Sequence, residues 1–293
     1  MFKGSIVAIV TPIKNGKPDE KKFRELIEFQ IKNGTHGIVP CGCTGEAATL
    51  NHDEQKKLIS IAYETVNKRV LVIAGTGSNS TEEAVDLTSH ARKVGCDGAL
   101  LITPYYNKPT PEGQYRHYET IAKKVDIPLV LYNVPSRTGI SILPETVAKL
   151  SKIDNIVAIK EASGSLDQVS KIISLCDITV LSGDDSLTVP MMSIGAKGVI
   201  SVIANIAPAD VAKMVEYALD ENFKEARKMH YKLLPLFKGM FIETNPIPIK
   251  ASLELVGILE NVEWRLPLCE PEKGTVEKLK KVLSDYGFKI TKK

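Results

Sequence analysis

The stretch Ile156-Val157-Ala158-Ile159-Lys160 is apolar at every position until it meets an amine. A strand with one wet face alternates apolar and polar residues. A run without alternation is covered on both faces, as in a parallel sheet layered by helices. Seven further runs of this kind punctuate the 293 residues: Ser5 to Val10, Gly37 to Pro40, Val70 to Ala74, Gly98 to Ile102, Pro128 to Tyr132, Ile178 to Leu181 and Gly198 to Val202. Longer amphipathic stretches lie between them at intervals of roughly 20 to 35 residues, the spacing of repeated βα units. Eight such units predict an α/β fold of the TIM (β/α)8 barrel type, which absorbs about 250 residues as one body.

The helices announce themselves by their caps. Asn51 with Glu54, Ser80 with Glu83, and Ser165 with Gln168 each place an acceptor at the N-cap and a reciprocal group three residues on. Thr110 precedes Pro111, a cap followed by proline at the first helical position. A helix over Pro208 to Leu219 completes the barrel. Apolar spacing then predicts three more, over Phe223 to Met240, Ile247 to Leu259 and Glu272 to Tyr286, with Pro246, Pro248 and Pro267 as punctuation. The expected organisation is a barrel over 1–220 and a C-terminal helical extension over 221–293, with no linker long enough to separate them.

Composition removes several classes of function. Hydrophobic residues make up 43% of the chain and charged residues 25%, so a core can form and a disordered chain is excluded. The net charge of +3 comes from 38 basic and 35 acidic residues that are interspersed, which leaves no footprint for nucleic acid or a membrane surface. The charge-poor stretch from Ser186 to Ala209 contains Lys197, two prolines and two glycines, unlike a lipid-spanning helix. The apolar run Ser5 to Val10 is short for a signal-peptide core, so a cytoplasmic location is expected. Five cysteines show no CxxC pair and five histidines no HExxH, so neither a disulfide framework nor a metal is expected. Gly75-Thr76-Gly77-Ser78-Asn79-Ser80 resembles a dinucleotide fingerprint, but Ser80 stands at the third glycine and the segment lies in the third βα unit. It reads better as a turn with a cap, and no cofactor is expected.

In such a barrel the carboxyl-terminal strand ends share one face, and chemistry collects there. Lys160 ends strand six and by alternation points inward with Ala158 and Ile156. Burial favours its neutral form, the nucleophile that makes a Schiff base with a carbonyl. The plainer alternative is a lysine that reaches solvent or pairs with Glu161. Tyr132 ends strand five, within reach of that amine, and could move protons; it could equally be a buried aromatic with a backbone partner. Arg137, in the turn that follows, offers a fork for a carboxylate or a surface ion pair. The turn Cys41-Gly42-Cys43-Thr44-Gly45-Glu46 could hold a small keto acid through its amides and the Thr44 hydroxyl, or be only a tight turn. Thr103 to Pro109 carries adjacent aromatics, Tyr105 and Tyr106, that either line a pocket or pack on a partner.

The chain resembles the pyruvate-dependent aldolase family that contains dihydrodipicolinate synthase and N-acetylneuraminate lyase. The resemblance runs nearly end to end: GSIVAIVTP at Gly4, TGEAATLNHDE at Thr44, AGTGSN at Ala74, TPYYNKP at Thr103, YNVPSRTG at Tyr132, IKEASG at Ile159, SGDD at Ser182, GVISVIAN at Gly198 and NPIPIK at Asn245. It implies that Lys160 forms an imine with pyruvate, that Thr44 and its turn hold the pyruvate carboxylate, and that Ile200 lines the pocket through its backbone. Tyr132 would manage protons, and Arg137 would bind the carboxylate of L-aspartate 4-semialdehyde, in the diaminopimelate route to lysine. Tyr106 would reach a neighbouring subunit, which implies a homotetramer built as a dimer of dimers. Two departures stand out. Cys43 occupies a relay position that the family usually fills with threonine. Gln55 replaces a histidine beside His52, Asn79, Glu83 and Tyr105, which match a lysine regulatory site of some members. Two rival readings share these residues: a sugar-acid aldolase, which generally differs at Ser136-Arg137, and a noncatalytic keto-acid sensor.

Overall fold

The computed structural model describes residues 2–292. Eight parallel strands close into a barrel: β1 (Gly4–Ala8), β2 (Gly37–Val39), β3 (Leu71–Gly75), β4 (Gly98–Ile102), β5 (Leu129–Asn133), β6 (Ile156–Glu161), β7 (Thr179–Ser182) and β8 (Gly198–Ser201). Each pairs with its sequence neighbours, and β1 bonds to both β8 and β2, which closes the ring. The predicted strands are all present, with ends moved by one or two residues.

Two apolar layers follow from strand alternation. Ile6, Ala8, Val39, Ile73, Leu100, Val130, Ala158, Leu181 and Ile200 fill the barrel, with Phe2 buried among them. Val7, Ile38, Val72, Leu129, Leu131, Ile159 and Val199 face outward, against the helices. Strand β6 needs one correction. Leu129 pairs with Ile156 but Val130 pairs with Ala158, so the register skips Val157. This irregularity shifts the phase: Ile156 joins the outer layer, Val157 packs on the inner one, and of the two residues expected inward with Lys160 only Ala158 is there.

Of the three predicted capping boxes one is complete. Asn51 Oδ1 accepts from the Glu54 amide at 2.9 Å, and Glu54 Oε2 accepts from the Asn51 amide at 3.0 Å. Ser80 and Ser165 also cap their helices, but their reciprocal partners are engaged elsewhere. Glu83 accepts from Ser78 Oγ at 2.6 Å, and Gln168 Nε2 donates to the Ile142 carbonyl at 3.0 Å. For Glu83 the competitor is another serine of the same loop, and for Gln168 it is a carbonyl 26 residues away.

After the helix α1 (Pro208–Leu219) come α2 (Phe223–Gly239), α3 (Ile247–Leu255) and α4 (Lys273–Tyr286). Leu233, Leu236, Phe237, Met240, Leu279 and Leu283 of these helices belong to the same apolar cluster as the outer face of the barrel. The segment entering α3 reaches back over the barrel mouth: Asn245 meets Thr44, and Lys250 meets Glu46.

Candidate active site

The end of β6 places Lys160 next to Tyr132 on β5, because the two are direct partners in the register. The Lys160 amine lies 4.2 Å from the centre of the Tyr132 ring. Lys160 is only 5% exposed. Burial takes its pKa down from 10.5 to about 8, against the pull of Cys43 and Asp185 and with help from Arg137. Glu161 points the other way and is fully occupied, accepting from Asn133 Nδ2 at 3.0 Å, the Ser163 amide at 2.8 Å and Gln168 Nε2 at 3.3 Å. Among the described residues no carboxylate forms an ion pair with Lys160, although Asp185 nearby favours its charged form, and an amine that titrates near 8 is available as a nucleophile.

A cavity of about 330 Å³ opens above this amine, lined among others by Cys43, Thr44, Tyr132, Arg137, Lys160 and Gly183. The Tyr132 phenol is held well above its ordinary value by burial and by the neighbouring Cys43, with Arg137 opposing. It stays protonated at neutral pH, ready to donate. Arg137 sits in the single helical turn Pro135–Thr138 and donates through Nη2 to the Asn245 carbonyl at 2.9 Å. Thr44 is buried, and its Oγ1 accepts from Asn245 Nδ2 at 3.0 Å. One amine, one phenol, one thiol, one hydroxyl and one guanidinium thus face a single small space. That set can bind an anionic carbonyl compound, attack its carbonyl carbon and move protons.

Other expected residues fall elsewhere. Tyr106 is 90% exposed, with φ +67°, and lines neither this cavity nor its neighbour. Ile200 is fully buried inside the barrel, and the residue of that strand end in the cavity lining is Val202. A second cavity of about 440 Å³ adjoins the first and shares Cys43, Tyr132, Arg137 and Asn245 with it. Its wall includes His52, Glu83, Tyr105 and Gln55, whereas Asn79 lies outside, its carbonyl accepting from Asn107 Nδ2 at 2.8 Å. His52 Nε2 is 3.8 Å from Glu83 Oε2, and the Tyr105 phenol is pushed up by burial and by Glu83.

Gly75 and Gly77, the glycines of the false dinucleotide pattern, have a packing role. A Cβ on Gly75 would collide with the Cys41 carbonyl, and one on Gly77 with the Ile102 amide. Among the described residues no group of three or more His, Cys, Asp and Glu is placed to hold a metal, and no helix is long and apolar enough to cross a membrane.

The sequence pattern of the Dihydrodipicolinate synthetase family matches residues 1–286. The chain belongs to this family. It is 58% identical over 290 residues to a 4-hydroxy-tetrahydrodipicolinate synthase of Syntrophobacter fumaroxidans, covering 98% of this chain and 100% of that one. The crystal structure of the chloride-inhibited dihydrodipicolinate synthase of Acinetobacter baumannii with pyruvate superposes with a TM-score of 0.96 at 43% identity, over 99% of this chain and 100% of that one. The lysine-bound enzyme of Cyanidioschyzon merolae superposes with a TM-score of 0.94 at 39% identity, over 98% of each chain.

Several residues at or near this cavity had no role in the sequence reading. Gly183, in the SGDD run, leaves room for the Lys160 stem: a Cβ there would lie 2.7 Å from the Ala162 Cβ and 3.0 Å from Lys160 Cε. Asp185 is buried, its carboxyl pushed up by that burial, and it accepts from the Val202 and Ile203 amides at 3.0 and 3.2 Å, which fixes the end of β8. The NPIPIK run supplies Asn245 and Lys250. Only the buried polar character of these residues, costly without partners, could have pointed to them.

Proposed function

We infer that the protein condenses pyruvate with L-aspartate 4-semialdehyde to 4-hydroxy-tetrahydrodipicolinate, as a lyase of the class I aldolase type in lysine biosynthesis. The observation that carries the mechanism is the buried amine of Lys160 at the mouth of the barrel, with no ion-pair partner among the described residues and a pKa of about 8. Its neutral nitrogen attacks C2 of pyruvate, and loss of water from the carbinolamine gives the imine. Removal of a C3 proton gives an enamine, which forms a carbon–carbon bond to the aldehyde carbon of the semialdehyde. The amine of that substrate then attacks the imine carbon, closes the ring and releases Lys160. The covalent chemistry is supplied by the lysine itself, so this reading invokes no external cofactor.

The roles read for the surrounding residues are those the family resemblance implies, and the clustering around one cavity of Cys43, Thr44, Tyr132 and Arg137 supports theirs. Thr44 and the amides of its turn hold the keto-acid carboxylate, while Tyr132 gives and takes the protons of imine formation. Arg137 receives the carboxylate of the second substrate. Cys43 stands where a hydroxyl would ordinarily join the relay, and its thiol is a weaker hydrogen-bond partner. Ile200 supports the floor of the pocket. The exposed Tyr106 supports a homotetramer in which this side chain completes the site of a second copy. The second cavity, with His52, Glu83 and Tyr105 in its wall and Asn79 outside it, supports lysine as a regulator; the lysine-bound relative lends weight to this. The barrel over 1–220, the extension over 221–293 and a cytoplasmic location complete the proposal.

A coupled assay offering pyruvate with aspartate semialdehyde, and separately with sugar aldehydes, tests the reading. Turnover with the semialdehyde is expected. Turnover with sugars alone would make the protein a sugar-acid aldolase. Imine trapping without turnover would make it a keto-acid sensor. Calorimetry with lysine tests the regulatory site, and no heat at millimolar lysine would remove it.

A further inference from the structure

Asn245 lies at the junction of the extension and the barrel, 201 residues from Thr44 in sequence and 3.0 Å from it in space. It is nearly fully buried and lines both cavities. Its side chain and backbone act on different partners. Nδ2 donates to Thr44 Oγ1, while the carbonyl oxygen accepts from Arg137. Five residues on, Lys250 Nζ bonds to Glu46 Oε1 at 2.6 Å, so the segment is anchored to the turn at two points, Thr44 and Glu46. Glu46 itself adopts a left-handed backbone, φ +59°, a conformation that packing must hold in place.

A hydroxyl has one hydrogen and two acceptor sites. With an acceptor site of Thr44 Oγ1 filled by the Asn245 amide, its own hydrogen is free for another acceptor. We propose that Asn245 is a positioning residue for the keto acid: by donating to Thr44 it leaves the Thr44 hydroxyl hydrogen available for the pyruvate carboxylate. Asn245 Oδ1 accepts from no side chain or backbone group among the described residues, so the donating end of the amide is the end that is used. The inference rests on the reading of Thr44 as the carboxylate holder. It adds a residue from the extension to the machinery of the barrel.

Asn245→Asp reverses the polarity with little change in shape. A carboxylate only accepts, so it captures the Thr44 hydrogen and places a negative charge beside the bound anion. The readout is borohydride trapping of the pyruvate imine followed by intact-mass measurement. Its midpoint in pyruvate concentration does not depend on the fraction of protein that is folded. The midpoint is expected to rise about ten- to a hundredfold in Asn245→Asp and less in Asn245→Ala, because a charge-assisted hydrogen bond to the carboxylate is lost. The KM for the semialdehyde is expected to stay within about twofold, since the backbone bond to Arg137 survives either change. Removing the hydroxyl in Thr44→Val should abolish most of the added effect of Asn245→Asp, as coupled residues do. An unchanged pyruvate midpoint in both variants would overturn the inference alone. Equal losses for both substrates would do the same, because they would reduce Asn245 to a general structural role. Failure of the unaltered protein to trap pyruvate at Lys160 would overturn the functional reading, and this inference with it.

Discussion

Two lysines are buried at the mouth of this barrel, and they have opposite chemistry. Lys160, at the end of β6, faces an aromatic ring, a thiol and a cavity, and no carboxylate bonds to it. Lys250, in α3, is 0% exposed yet bonds to Glu46 Oε1 at 2.6 Å and to the Glu263 carbonyl at 3.2 Å, with the Trp264 ring centre 5.0 Å away. Burial alone therefore does not decide what a lysine does. Without a counter-charge, desolvation releases the proton and produces a nucleophile; with one, the same amine becomes an ionic rivet.

The largest effect should come from deleting the nucleophile. Lys160→Met keeps most of the bulk and removes the amine, so imine trapping should vanish and turnover should fall by at least about a thousandfold. Thermal unfolding should show a melting temperature equal or higher, because an unpaired buried polar group has gone. Turnover above that level would break the contrast.

Lys250→Met should do the reverse. It strands the Glu46 carboxylate and should lower stability by about 3–5 kcal/mol in urea denaturation. Adding Glu46→Gln should restore much of that loss. A single variant as stable as the parent would place Lys250 in the same class as Lys160.

The contrast sharpens with pH. Imine formation should rise about tenfold between pH 7 and 9 and level off above the Lys160 pKa of about 8, instead of climbing toward 10.5. The stability term has a definite sign. The unfolded lysine binds a proton up to about 10.5 and the folded one only to about 8, so the unfolded state holds more protons in between. Folding gains from rising pH across that window, and this group contributes no slope below it. Stopped-flow rates and denaturation curves across the range check both statements.

The smallest effect concerns the thiol beside the nucleophile. Cys43→Thr should leave turnover equal or a few-fold higher, since a hydroxyl is the better proton-relay partner. A fall beyond about threefold in steady-state assays would give the thiol a role of its own.

Local sequence made much of this legible. Unbroken apolar runs marked the strands, period-two alternation placed Lys160 inward, and Tyr132 was read at the end of the adjacent strand, within its reach. One cue was passed over: Asn15-Gly16, with both residues at positive φ, turns a hairpin of Ile13–Lys14 with Lys17–Pro18. The irregularity at Val157 left no such mark, because it depends on how β5 and β6 meet. The same holds for the capping box of Ser165, whose reciprocal Gln168 bonds instead to the Ile142 carbonyl; at Ser80 the competitor, Ser78, lies in the same loop.

The sequence by itself determined the eight-stranded barrel and the amine at the end of its sixth strand, because strand periodicity and capping act over a few residues. Only the tertiary structure decided that this amine has no ion-pair partner among the described residues, that Gly183 makes room for it, and that Asn245 and Lys250 lock the turn of Thr44 and Glu46. The last two contacts join residues 201 and 204 positions apart, and their geometry exists only once the extension has docked on the barrel.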